Sequence, residues 1–226
     1  MPVKVWMDEG EVHTDRPIER LRDAQLWREA TIATPIPLGL AAFGASALVS
    51  GLGMALGLPV MSILPVAFVF GGLTLWTMAL FALRKGSTFA ATFFGTIGSF
   101  NLLWPAYYAW PALMGPEAQA GQVGGIIFFT FALILAYLML CAFRVSLTMA
   151  LILLTLLLSF VAAGLGLLTG DTATWLPVSG WLGVASAAIA FYASFATVWN
   201  TVVHKAQLPL GTVVREEAYE RTYART

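Results

Sequence analysis

Residues 146–168 read SLTMALILLTLLLSFVAAGLGLL, 23 consecutive residues without a charge and polar only at two serines and two threonines. As a helix this stretch rises about 34 Å at ~1.5 Å per residue, enough to cross ~30 Å of bilayer hydrocarbon. A surface helix of a soluble domain would carry a broad polar stripe along one side. The stretch is therefore read as a transmembrane helix, bounded by Arg144 before it and Asp171 after it.

Working outward, the only other formal charges between Glu29 and Lys205 are Arg84, Lys85 and Glu117. Each charge site separates one apolar run from the next, and the runs predict spans at about 38–58, 61–83, 87–111, 122–143, 146–168 and 176–203. Gly57-Leu58-Pro59, a tight-turn composition, separates the first two. No segment alternates with period two over the ~10 residues of a barrel strand. Composition agrees: 59% of the 226 residues are hydrophobic and 11% charged, against roughly half and a quarter in a soluble domain. The expected fold class is an all-α membrane protein, a bundle of six transmembrane helices.

Six spans place both termini on one side. Arg84, Lys85, Arg144 and Lys205 then share that side, whereas Glu117 and Asp171 take the other. Basic residues concentrate in cytoplasmic loops, so both termini are expected to be cytoplasmic and the chain to be a multi-pass protein of the plasma or inner membrane. Trp104, Tyr107, Tyr108 and Trp110 before the Glu117 loop, with Trp175 after Asp171, are expected to anchor the outer interface, with ordinary packing as the alternative.

Residues 1–33 form an N-terminal cytoplasmic tail, residues 34–211 the six-helix transport domain, and residues 212–226 a C-terminal cytoplasmic tail. The N-terminal tail mixes both charge signs and has no apolar core, unlike a cleavable signal peptide. Within it, Asp15-Arg16-Pro17 followed by Ile18, Leu21 and Ala24 reads either as a short helix on the membrane surface or as a solvated tail.

Candidate chemistry is sparse. The one cysteine, Cys141, reads as a small buried apolar residue and excludes an intramolecular disulfide, and His13 and His204 lack partners at metal-ligand spacing. No phosphate loop, serine elbow or pair of membrane-embedded carboxylates occurs, so neither an enzyme nor a cofactor or metal is expected. The balance of 12 basic and 12 acidic residues gives no case for nucleic-acid binding. Nor does any span carry a mid-helix Asp, Glu, Lys or Arg of the kind ion-coupled pumps use.

The spans carry instead stripes of small and weakly polar residues. Gly39, Phe43, Ser46 and Ser50 fall on one face of the first, and Thr88, Thr92, Thr96 and Ser99 on one face of the third. The fifth has Thr148, Thr155 and Ser159, while the sixth has Ser186, Ala190, Thr197 and Thr201 with Asn200 beside them. Such stripes either line a narrow polar path or allow close packing, each hydroxyl then bonding its own helix at i−4. At the start of the first span, Pro35 and Pro37 fix a helix N-terminus. Its free N–H groups either hold an anionic group, as half-helices in transporters do, or simply begin a helix at the interface.

That segment, Thr34-Pro35-Ile36-Pro37-Leu38-Gly39-Leu40, resembles the Asn-Pro-Ala-Pro-Leu-Gly-Leu signature of the acetate uptake transporter family, the succinate-acetate permease type. Lys85-Gly86-Ser87-Thr88-Phe89, Gly98-Ser99-Phe100, Gly180-Trp181-Leu182-Gly183, Asn200 and Leu208-Pro209-Leu210-Gly211 extend the similarity in order. The resemblance implies a six-helix protomer in a homohexamer, each protomer passing acetate, related monocarboxylates or succinate by channel-like or proton-coupled movement. It also implies a hydrophobic constriction of Phe43, Ile97 and a fifth-helix leucine, which a Leu-Thr match places at Leu154 and a count from Arg144 at Leu153. Ala190 matches a position tied to substrate preference.

The chain departs from the family where Ile97 replaces a tyrosine and Thr197 a glutamate, removing a donor and a candidate proton carrier. Leu75 and Ala82 stand where relatives carry polar residues. The positions expected to form the path or bind the solute are Pro35, Pro37, Leu38, Gly39, Leu40, Phe43, Thr92, Thr96, Ile97, Ser99, Leu154, Thr155, Ala190, Thr197 and Asn200. Besides a small carboxylate, with protons and the lipid bilayer as partners, two other readings stay open: a channel for urea, amides or protonated acids, and a membrane sensor that transports nothing.

Overall fold

The computed structural model describes residues 5–8, 11–14, 33–109, 117–203 and 207–212. Its bulk is a helical bundle of α1 (Ile36–Ala55), α2 (Val60–Arg84), α3 (Thr88–Ala109), α4 (Glu117–Ala142), α5 (Leu147–Thr169) and α6 (Thr172–Val202). All except α3 are long and apolar enough to cross a membrane; three threonines, a serine and an asparagine lower the hydropathy of α3.

The N-terminal tail contains a feature its charges do not announce. Strand β1 (Val5–Asp8) pairs antiparallel with β2 (Glu11–Thr14), in the register Val5 to Thr14 and Asp8 to Glu11. The surface helix expected over Ile18, Leu21 and Ala24 lies outside the described residues, as do His204, Lys205 and residues 213–226.

Where the connections are described, short turns make consecutive helices antiparallel neighbours. Gly57 and Gly86 each end a helix at positive φ (65° and 74°), where a Cβ would strain the backbone. The following amides, Leu58 N and Ser87 N, reach back to Gly53 O at 2.8 Å and Ala82 O at 3.0 Å, closing the helix ends. At the next turn, Ser146 Oγ accepts from Met149 N at 3.1 Å, and Asp171 Oδ1 accepts from Thr174 N at 3.2 Å, so α5 and α6 begin with side-chain caps.

The helices pack chiefly as α1 on α6, α6 on α5, α5 on α4, and α2 on α3. The α1–α6 seam is closest at Gly51, Gly180 and Gly183, where a Cβ built on Gly180 would sit 2.5 Å from Gly51 O and 2.9 Å from the Ala55 Cα. At the other end of this seam Ser194 Oγ donates to Pro37 O at 2.7 Å. Elsewhere Gly125 packs on Gly164 of α5, Gly53 receives Ile63, and Gly121 makes only ordinary contact.

α2 is not the regular helix its hydropathy suggests. After Pro65 it runs as a π-helix over Ala67–Thr74, wide enough for Thr74 Oγ1 to bond Val69 O, five residues back, at 3.1 Å. Gly71 and Gly72 in this segment lie against α3, where Cβ atoms would meet Asn101, Ser46 and Leu102.

After α6, residues 207–212 fold back as a strap. Asn200 Oδ1 accepts from Gln207 N (2.9 Å) and Leu208 N (3.0 Å), and its Nδ2 donates to Leu208 O (2.9 Å). Tyr192 Oη donates to Pro209 O at 2.8 Å, Thr148 Oγ1 to Leu210 O at 2.8 Å, and Leu147 N to Gly211 O at 2.9 Å. An antiparallel bridge between Ser146 and Thr212 completes the clasp on the start of α5.

Candidate functional site

A cavity of about 90 Å³ lies inside the bundle, several times the ~10–15 Å³ that one water molecule needs. It occupies the half that holds the C-terminal parts of α1 and α3 and the N-terminal parts of α2 and α6. α1 contributes Phe43, Ser46, Ser50 and Met54, α3 contributes Ile97, Phe100, Asn101 and Trp104, and α5 contributes Leu156, Ser159 and Phe160. Val60, Ile63, Leu64 and Ala67 of α2, Phe128 of α4, and Ser179 and Gly183 of α6 close the remaining sides. None of the lining residues carries a formal charge.

The wall is dominated by an aromatic cluster. Phe100 stacks on Trp104 (centroids 5.7 Å apart, planes at 15°) and meets Phe128, Phe131 and Phe160 edgewise or tilted at 4.6–5.2 Å. Trp104, expected at the outer interface, is thus buried in the cavity wall, with Tyr107 stacked on its far side. Its position on α3, one turn beyond Phe100, turns it toward α4. Tyr108 and Trp110 lie outside the residues whose side chains are described. Cys141, expected to be buried, is exposed.

Two polar pairs interrupt the apolar lining. Ser46 Oγ donates to Asn101 Oδ1 at 3.1 Å, while Asn101 Nδ2 donates to Ile97 O, one turn back, at 2.9 Å. Because Ile97 O can only accept, the Asn101 nitrogen must face it and the oxygen must face Ser46. Across the cavity Ser159 Oγ donates to Ser179 O at 2.8 Å and lies 3.1 Å from Ser179 Oγ.

Toward the start of α1 the lining ends at Phe43 and Ile97, both 2% exposed. Phe43 meets Phe93 edge-on at 5.7 Å, Phe93 meets Phe94 at 5.2 Å, and the Phe94 ring covers Gly39, where a Cβ would be 2.8 Å from a ring carbon. A continuous phenyl stack therefore separates the cavity from the Pro35–Leu40 helix start.

The cavity brings together Phe43 and Ile97 from the expected path positions, together with Ser46, Ser50 and Ser159 from the stripes. The leucine that α5 presents to it is Leu156, whereas Leu154 is half-buried and Leu153 fully buried elsewhere in the core. Thr92, Ser99, Thr155 and Thr197 donate to carbonyls four residues back at 2.7–2.9 Å, so their hydroxyls are engaged by their own helices. Thr96 is half-buried and Ala190 fully buried; neither lines the cavity. Pro35, Gly39 and Leu40 are buried, Pro37 is half-buried, and Leu38 points outward at 55% exposure. Asn200 holds the strap. Replacing it with alanine removes three hydrogen bonds, and the Gln207 and Leu208 amides should then exchange roughly 30-fold faster, about 2 kcal/mol of local opening. Hydrogen-exchange mass spectrometry measures this, and unchanged exchange would remove Asn200 from the clasp.

Sequence reading passed over Asn101, Phe93, Phe94 and Ser179. The first was detectable, because a carboxamide in the middle of an otherwise apolar span is costly unless it bonds or meets a polar solute.

A sequence model of the GPR1/FUN34/yaaH family matches residues 21–211. The chain belongs to this family. It is 26% identical over 182 residues to the succinate-acetate/proton symporter SatP of Escherichia coli (strain K12), a match that covers 80% of this chain and 96% of that protein. The Shigella flexneri protein of the same description matches equally. Among solved structures, that of the bacterial acetate channel SatP superposes with a TM-score of 0.74 at 25% identity, covering 80% of this chain and all of that one. These GPR1/FUN34/yaaH relatives are described as a symporter and a channel, so this chain is a transport protein rather than an enzyme.

Proposed function

We propose that this chain is a membrane channel or transporter that passes acetate and similar small monocarboxylates, and succinate, through one narrow path per protomer. The observation that carries this reading is the uncharged cavity floored by Phe43 and Ile97, in a chain whose relatives are described as moving acetate and succinate. Apolar rings admit a small, partly dehydrated solute and resist hydrated ions. The phenyl stack of Phe43, Phe93 and Phe94 is the constriction, the cavity is the vestibule on one side of it, and the Pro35–Leu40 segment lies on the other.

The same reading takes α3 as a sixth span and both termini as cytoplasmic, in the plasma or inner membrane. Supporting it, the topology gathers Arg84, Lys85 and Arg144 at the end where α1 begins, and Asp171 at the other end. The resemblance adds a homohexamer and proton linkage to the proposal.

Uptake of labelled acetate into proteoliposomes at two external pH values, corrected for protein-free vesicles, tests it. Wild-type protein should accumulate acetate and Phe43→Trp should not, because the larger indole would project into the cavity and close its floor beside Ile97. Equal uptake by protein-containing and protein-free vesicles would leave the sensor reading standing.

A further inference from the structure

We propose that Asn101 is the specificity-determining residue of the cavity, reading the solute's head group as a neutral donor–acceptor pair, so that the permeating forms are the protonated acid and the primary carboxamide rather than the carboxylate anion. This rests on the transport reading above and names the species that uses the path.

The inference follows from counting hydrogen-bonding capacity. A carboxamide has two N–H donors and an oxygen with two lone pairs. Asn101 gives one N–H to Ile97 O and receives one bond on its oxygen from Ser46 Oγ. One N–H and one lone pair then remain without partners among the described residues, on a side chain that lines the cavity. Ser46 has spent its only proton on Asn101, so its oxygen can only accept.

A carboxylate offers acceptors alone: one oxygen could take the free Asn101 N–H, but the other would face the lone pairs left on Asn101 Oδ1 and Ser46 Oγ. A protonated carboxyl or a primary amide offers a donor beside an acceptor and matches what Asn101 leaves open. Charge argues the same way: no cationic side chain lines the cavity, and an ion stripped of water there would lack a counter-charge. Gly71 keeps this arrangement in place, because a Cβ there would collide with both Asn101 Oδ1 and Ser46 Oγ.

The test uses proteoliposomes of the full chain with labelled acetate and labelled acetamide, at about pH 5 and about pH 7, spanning the loss of the protonated acid. Protein-free vesicles are subtracted throughout. Wild-type protein should conduct acetamide at the same rate at both pH values, whereas acetate uptake at fixed total concentration should fall at least tenfold as pH rises. Asn101→Leu should lower uptake of both solutes about tenfold, the equivalent of one or two lost hydrogen bonds.

Acetate uptake that is unchanged with pH, or wild-type protein that conducts acetate but excludes acetamide, would overturn the proposal without recourse to any variant. So would an Asn101→Leu protein that conducts both solutes within twofold of wild type. Uptake of neither solute by wild-type protein would sink the transport reading itself, and this inference with it.

Discussion

Gly180→Ala is expected to destabilise the bundle by roughly 3 kcal/mol, the upper end of overpacking penalties. The added methyl would point at the backbone of α1, 2.5 Å from Gly51 O and 2.9 Å from the Ala55 Cα. Backbone cannot rotate away as a flexible side chain can, so α1 and α6 must separate along their seam. That seam also contains Gly51, whose own Cβ would fall 2.7 Å from Gly180 O, and the Ser194–Pro37 bond at its far end. The thermal midpoint in detergent should drop by roughly 6–12 °C. Gly121→Ala is the matched control: its Cβ would lie an ordinary 3.6 Å from Leu167 O, and alanine favours the helix by about 0.5–1 kcal/mol. Equal midpoints for the two variants would refute the close-crossing account.

Phe43→Ala is expected to widen the path and relax its discrimination by size. Phe43 is 2% exposed, lines the cavity floor and stands edge-on to Phe93. Removing its ring opens the first layer of the phenyl stack toward Gly39, and uptake of butyrate relative to acetate should rise about tenfold, the scale on which a pocket discriminates chain length. The ratio of the two solutes cancels any loss of folded protein, which matters because truncating a buried phenylalanine costs about 3–5 kcal/mol. An unchanged butyrate-to-acetate ratio would show that the solute does not pass this ring.

Much of the fold was legible because hydropathy and charge act over whole helices. The uncharged run from Ser146 to Leu168, the Gly57-Leu58-Pro59 turn and the Arg84-Lys85 charges set element boundaries within a few residues of those observed. The α1 stripe was legible too: Phe43, Ser46 and Ser50 share a face, and that face meets the cavity. For the hydroxyls of Thr92, Ser99, Thr155 and Thr197 the sequence left both readings open, since a threonine that serves a path and one that bonds its own helix look alike there.

What stayed hidden depends on rotation and on neighbours. Leu154 and Leu156 are two positions apart on α5 and so about 200° apart around it, and only packing decides which meets the cavity. The π-helical stretch of α2 depends on α3 accepting Gly71 and Gly72 against Asn101 and Leu102, a contact between separate elements. The inward turn of Trp104 likewise reflects Phe100 and Phe128, whereas its sequence neighbourhood is that of an interface aromatic.

The strap bears on how the protein is made. Leu147 N and the hydroxyl of Thr148 find their acceptors in Gly211 and Leu210, more than sixty residues further along the chain. During synthesis α5 can enter the bilayer while its first turn still lacks these partners, and it gains them only when the residues beyond α6 leave the ribosome. Contacts made late thus close the first turn of an earlier helix, so a nascent chain halted at Val203 would hold all six helices described and still be unlatched.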